Sequence, residues 1–176
     1  MMKNFDKCME MLLHHEGGFT ADKRDKGNAN GGSTNLGVTS AVWADWTGSH
    51  AGHNVMKSLT PEDVKPLYKH NYWDRVKGDS ELLYSGLDWA LFDWAVNSGS
   101  GRAAKSIQRI VGVEADGGIG NITLTAINDF DVKELLDKLH YSRQSFYESL
   151  DDFQYFGNGW TRRNNETLEQ ALEMID

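Results

Sequence analysis

Phe5-Asp6-Lys7-Cys8-Met9-Glu10-Met11-Leu12-Leu13-His14-His15-Glu16-Gly17-Gly18 sets the pattern for the chain. Phe5, Cys8, Met9, Leu12 and Leu13 recur at i, i+3, i+4, i+7 and i+8, which is one apolar helical face. Asn4 suits an N-cap, and the glycine pair after Glu16 ends the helix. The pattern then changes. Lys26-Gly27-Asn28-Ala29-Asn30-Gly31-Gly32 is polar and glycine-rich, and Ser33-Thr34-Asn35-Leu36-Gly37-Val38-Thr39 follows it. These two runs read as a loop leading into a small hairpin, the one piece of β-structure the sequence predicts.

Beyond the hairpin the chain reads as helices. Ser40 is placed to cap a short helix through Trp43 and Trp46, and residues 48–54 read as a loop. Thr60-Pro61-Glu62-Asp63 is a helix start, with a capping hydroxyl, proline in the first turn and acids at the positive end. Val64, Leu67, Tyr68 and Tyr72 continue its apolar face, and Pro66 should kink it. Ser85 begins an apolar helix over 87–96. Ser98-Gly99-Ser100-Gly101 breaks it, and a further helix covers 102–111. Asp116-Gly117-Gly118-Ile119-Gly120 is a tight turn before a short helix at 124–127. Asp131 caps a long helix over 132–150, and Gly157 and Gly159 precede a last helix from Trp160. The expected fold is therefore mainly α (α+β): a single helical domain with a small β-hairpin after the first helix. Residues 1–80 and 81–176 form two halves. The link at 76–84 lacks Pro and Ser/Gly-rich character, so the halves are expected to pack as one unit through helix 87–96.

The 176 residues include one cysteine, which excludes a disulfide framework and a Cys-rich zinc site. No apolar run reaches the ~20 residues of a membrane span, and no charged-then-apolar leader opens the chain. The expectation is a soluble protein made in the cytoplasm. The net charge of −8 lies wholly in residues 81–176, so a phosphate-coated partner is disfavoured there. Six Trp, six Tyr and seven Phe suit large core positions, and also flat ligands such as sugars.

Glu16 is the residue with the strongest chemical character. The end of a helix carries partial negative charge, which disfavours a second one. If Glu16 is also shielded, its pKa should rise, as a general acid near neutral pH requires. The glycines beside it let a substrate approach the backbone. Asp22, Asp25 and Thr34 follow. An inverting glycosidase needs a water held on the sugar face opposite the acid, with the two groups ~6.5–9.5 Å apart. A helix-end Glu facing a loop Asp or hairpin Thr can supply that gap; Asp22 and Asp25 can equally be turn-forming residues. His50 and His53 lack an acidic or Cys companion at zinc spacing and read as a solvated loop. His14 and His15 stand where one could orient Glu16. Cys8 belongs to the apolar face and reads as core. Phosphate loop, serine elbow and metalloprotease motifs are missing.

His15-Glu16-Gly17-Gly18-Phe19 and Gly31-Gly32-Ser33-Thr34-Asn35-Leu36-Gly37-Val38-Thr39 resemble the signature of glycoside hydrolase family 108. Leu91-Phe92-Asp93-Trp94-Ala95-Val96-Asn97-Ser98-Gly99 and Gln108-Arg109-Ile110-Val111-Gly112 agree with it. Asp116-Gly117-Gly118-Ile119-Gly120 and Gly159-Trp160-Thr161-Arg162-Arg163 are similar to the predicted peptidoglycan-binding region that accompanies such segments. The resemblance implies a lysozyme-like fold and an endolysin-type N-acetylmuramidase, often of bacteriophage origin. The bond cut would be the β-1,4 link between N-acetylmuramic acid and N-acetylglucosamine.

Glu16 would then be the general acid, and Asp25 and Thr34 would hold the attacking water. Gly17, Gly18, Asn35, Thr39, Trp94 and Asn97 lie in the matching motifs and would line the substrate. No cofactor or metal is implied. The expected partner is the peptidoglycan glycan strand, met by a monomer without nucleic acid or stable membrane insertion. It would reach the periplasm or cell wall from the host cytoplasm through a holin or another export route.

The chain departs from the family in two places. The short Asp-Pro-Gly-Gly run is extended here after Asp25, and Asn121 stands where Pro commonly follows Ile-Gly. The extension places Thr34 level with or above Asp25 in expected importance. A non-catalytic wall-binding or virion protein and a lytic transglycosylase are the alternatives; a poised Glu16 argues against the first, and product mass separates the second.

Overall fold

In a computed structural model describing residues 4–175, helices account for 65% of the chain and one hairpin supplies its strands, so the mainly α class holds. The chain divides into two compact units, residues 9–69 and residues 4–8 with 70–175. The division falls after Lys69 and after Cys8, inside the first helix.

The first helix, α1 (Phe5–His15), buries Cys8, Met9 and Leu12 completely. Burial pushes the Cys8 thiol well up, with the Asp88 charge acting in the same direction, so this cysteine is core. In the smaller unit a kinked 3-10 segment (Lys26–Gly31) leads to strands β1 (Thr34–Asn35) and β2 (Val38–Thr39). The strands pair antiparallel, Thr34 with Thr39 and Asn35 with Val38, and Thr20 bridges to Thr34 from the other side. Leu36 and Gly37, at φ +51° and +76°, form a two-residue turn with both centres left-handed, the geometry that suits strand twist.

Helix α2 (Ser40–Thr47) is capped by Thr39, whose hydroxyl accepts from the Val42 N–H; Ser40 Oγ instead accepts from the Ser33 N–H. The cap therefore sits one residue before the expected one, because Thr39 ends the strand with its side chain aimed along the new helix. Residues 53 and 54, expected in a loop, begin helix α3 (His53–Lys57). Helix α4 (Pro61–Tyr68) opens with the reciprocal Thr60–Asp63 box. It runs through Pro66 and passes into one π-helical turn, Lys69–Trp73.

The larger unit is built on α5 (Leu87–Ser98), whose residues from Leu87 to Ala95 are all buried. A helix buried on every side belongs in a core. Phe92 meets Phe5, Trp73 and Trp89 at ring separations of 6.1, 5.3 and 6.4 Å. Helix α6 (Ser100–Val111) follows after Gly99 alone, two residues earlier than expected, since Ser100 and Gly101 are already helical. The buried Gln108 amide then holds the 116–118 turn, donating to Asp116, the Gly118 carbonyl and Thr123 while accepting from the Gly117 N–H. Helix α7 (Asn121–Ile127) follows, then α8 (Val132–Glu148), capped by Asp131 as expected.

Helix α9 (Phe153–Glu173) starts before the expected Trp160, so Gly157 and Gly159, expected ahead of it, lie within it. A Cβ on Gly157 would stand 2.7 Å from the Phe153 ring. The glycine is there to admit an aromatic, not to stop a helix. Helices α8 and α9 pack on each other and on α5. Between them Asp93, fully buried, pairs with Arg143 and Arg163 at 2.8 Å each and accepts from Thr167 at 3.1 Å. Burial works against the charged form, yet the two guanidinium groups hold the Asp93 carboxyl below the usual carboxylate range. Among the described residues, no helix is long and apolar enough to cross a membrane.

Candidate active site

The site forms in the smaller unit, where α1 ends against the hairpin. Glu16 follows the last residue of α1, with its N–H still bonded to the Leu12 carbonyl at 3.2 Å, and it is half-buried. Gly17 and Gly18 are exposed, and a Cβ on either would meet nothing within 4 Å. Open backbone therefore lies beside the acid. On the other side the Glu16 carboxyl rests against Gly37. A Cβ there would lie 2.8 Å from Glu16 Oε2 and 2.5 Å from the Tyr68 hydroxyl. Tyr68, from α4, is 1% exposed and donates to the Leu36 carbonyl at 2.8 Å. Thus a buried tyrosine clamps the left-handed turn, and the turn packs on the acid. Leu36 accepts a conformation costing ~1–2 kcal/mol for an L-residue, as constrained functional loops do.

Gly37→Ala tests this packing. Between the positive φ and the missing space, it should destabilise the protein by ~1–3 kcal/mol and displace Glu16. Thermal melting and catalytic turnover should fall together. Wild-type values of both would show that the turn does not position the acid.

The second half of the site lies at the open end of the hairpin. Asp25 caps the 3-10 segment, one carboxylate oxygen accepting from the Gly27 N–H at 2.9 Å. The Thr34 hydroxyl donates to Asn28 Oδ1 at 2.7 Å, and the wholly buried Asn28 amide donates to the Asp22 carbonyl at 3.0 Å. Around Gly27, a Cβ would stand 3.3 Å from Asp25 Oδ1, 3.4 Å from Thr34 Oγ1 and 3.0 Å from the Thr39 methyl. Asp25, Thr34 and Thr39 thus converge on one glycine. With its own hydrogen given to Asn28, the Thr34 oxygen faces other groups as an acceptor.

The remaining candidates are placed as follows. Asp22 is tied to Arg24, whose side chain holds its carboxyl below the ordinary range. Asn35 is buried and donates to the Met56 carbonyl at 2.8 Å, linking hairpin to α3. Trp94 and Asn97 belong to the larger unit. Trp94 is 1% exposed and is a core residue, whereas Asn97 is exposed and accepts from the Tyr147 hydroxyl. His53, read as solvated, contacts the Gly31 carbonyl through Nε2 at 2.9 Å and meets the Phe19 ring edge-on. Sequence reasoning missed Tyr68 and Asn28. Tyr68 lies on an apolar helical stripe that reads as core, and Asn28 in a polar run that reads as loop. Among the described residues, no group of three His, Cys, Asp or Glu could hold a metal ion.

Most glycoside hydrolases use a pair of acidic residues flanking the scissile bond. Residues 9–99 match the family described as Glycosyl hydrolase 108, and residues 102–165 match the family described as Predicted Peptidoglycan domain. The chain belongs to the glycosyl hydrolase 108 family. It is similar to the solved structure of Brucella abortus SagA, with 35% identity over 97% of this chain and 95% of that one, at a TM-score of 0.85. No curated protein matches it. The protein is a glycoside hydrolase directed at peptidoglycan.

Proposed function

We propose that the chain is a lysozyme-type muramidase that hydrolyses the β-1,4 bond between N-acetylmuramic acid and N-acetylglucosamine. Glu16 gives its proton to the leaving oxygen, and a water held by Asp25 and Thr34 attacks the anomeric carbon from the other face. The observation that carries this reading is the placement of the two groups on one hairpin. Glu16 rests on Gly37 at the turn, while Thr34 pairs with Thr39 two residues further along. At ~3.4 Å per residue, Gly37 and Thr39 stand about 7 Å apart along the strand, so the acid and the Asp25–Thr34 pair meet the hairpin at different points, as a mechanism with a water opposite the acid requires.

A water has two hydrogens, and the pair offers two acceptors, the Asp25 carboxylate and the Thr34 oxygen. A water donating to both turns its lone pair outward, and Asp25 then takes the proton as the O–C bond forms. The Gly27 N–H holds one Asp25 carboxylate oxygen in place, which supports a base role for Asp25 beside Thr34.

Asp25→Asn should therefore lower turnover by ~10²–10⁴-fold, the range for loss of a general base, with little effect on melting. Thr34→Val should lower turnover less. It should also lower melting temperature, because the buried Asn28 oxygen loses its donor, at a cost of ~1–3 kcal/mol. Kinetics on purified glycan strands, with mass spectrometry of the products, test the scheme. Reducing-end products that carry one added water support hydrolysis, and anhydro products overturn it. A fully active Asp25→Asn enzyme would remove the base.

A further inference from the structure

A groove of about 550 Å³ runs between α6 and α8 in the larger unit, lined by Ile110, Asp137, Lys138, Tyr141, Ser142 and Ser145. Its size falls within the ~300–1,000 Å³ of small-molecule sites. Asp137, Tyr141 and Ser145 recur every four residues along α8 and so form one row, with Lys138 and Ser142 in the next. Ile110 closes the floor from the last turn of α6. Tyr141 is 74% exposed, a large aromatic face left open beside short hydroxyl side chains.

The lining selects its ligand. Lys138 is the lone cation of the groove lining, and its ammonium is held by Glu134 at 2.5 Å and lies over the Phe130 ring. Asp137 adds a negative charge. An anion therefore finds little here. A neutral ring with one apolar face and several hydroxyls fits: the face covers Tyr141, and the hydroxyls find acceptors that offset their desolvation. Every lining residue falls within the 102–165 segment that matches the Predicted Peptidoglycan domain.

We propose that this groove is a second glycan site, separate from the Glu16 centre, which seats an N-acetylhexosamine unit of the wall polymer on Tyr141. Asp137, Ser142 and Ser145 bond its hydroxyls. The choice of sugar rests on the reading of the chain as a peptidoglycan hydrolase. A site of this kind holds the protein on an insoluble polymer between cleavage events, and repeated local encounters then replace free diffusion.

The test uses the full chain carrying Glu16→Gln, so that binding is measured without digestion. Co-sedimentation with purified sacculi, competed by chitotetraose, gives an affinity. Tyr141→Ala should weaken it about tenfold, the scale of one stacked aromatic contact. Ser145→Lys, which fills the groove from an exposed helical position, should weaken it similarly. With Glu16 restored, both variants should cleave a short soluble glycan at the wild-type rate. Unchanged sacculus affinity in both variants would overturn the groove, even if Glu16-dependent cleavage is confirmed. A wild-type chain that cleaves nothing yet loses sacculus binding with Tyr141→Ala would refute the muramidase reading and support the groove.

Discussion

Glu16→Gln is expected to reduce release of soluble fragments from purified cell walls by at least ~10²–10⁴-fold, the contribution of a positioned proton donor. The substitution keeps the size of the side chain and its packing against Gly37 and removes the transferable proton. The melting temperature should stay close to wild type. Circular dichroism establishes that the variant is folded, and turbidity of a wall suspension reads the chemistry. A folded Gln variant with substantial lytic turnover would show that another group donates the proton.

The largest expected effect on stability belongs to Asp93→Asn, in the larger unit. The Asp93 carboxylate is fully buried between Arg143, 3% exposed at its side chain, and Arg163, at 15%. Removing its charge leaves two guanidinium groups facing each other without a counterion, at a cost of ~3–5 kcal/mol. The sign of the pH dependence follows from the depressed carboxyl. Its contribution is present above the unfolded carboxylate value of ~3.9. It is lost as pH falls from there toward the lower folded value. The Asn variant lacks that contribution at every pH. Its melting temperature should therefore fall less between pH 5 and pH 3 than the wild-type value does. Equal acid sensitivity in the two proteins would mean that the buried pair does not govern acid unfolding.

Some of this was legible in the chain and some was not. Periodicity found α1, and the Thr60 and Asp131 caps bounded α4 and α8, because those signals are local. Glu16 was visible for the same reason: a helix ends on it and two glycines follow. Local signals also misled. Gly157 reads as lying ahead of the last helix, and only the Phe153 ring above it explains a glycine inside α9. Ser40 and Thr39 are equally good caps by composition; the end of β2 decides between them. The Tyr68–Leu36 clamp joins residues 32 apart and the Asp93–Arg163 pair residues 70 apart. No window along the chain contains either contact. The three-way meeting of Asp25, Thr34 and Thr39 around Gly27 likewise exists only after the hairpin has closed.

The first helix is shared between the units, Phe5–Cys8 counting with the larger and Met9–His15 with the smaller. Asn4, just before it, donates to Asp88, 84 residues away along the chain. During synthesis at ~5–20 residues per second, these first residues leave the ribosome seconds before any partner exists. Phe5 and Cys8 must wait, uncovered, until Trp73 and the α5 helix arrive. The larger unit is thus finished by a segment made well before the rest of it. Translation that stalls before residue 88 strands an apolar helical face in solvent, an opening for chaperones and proteases.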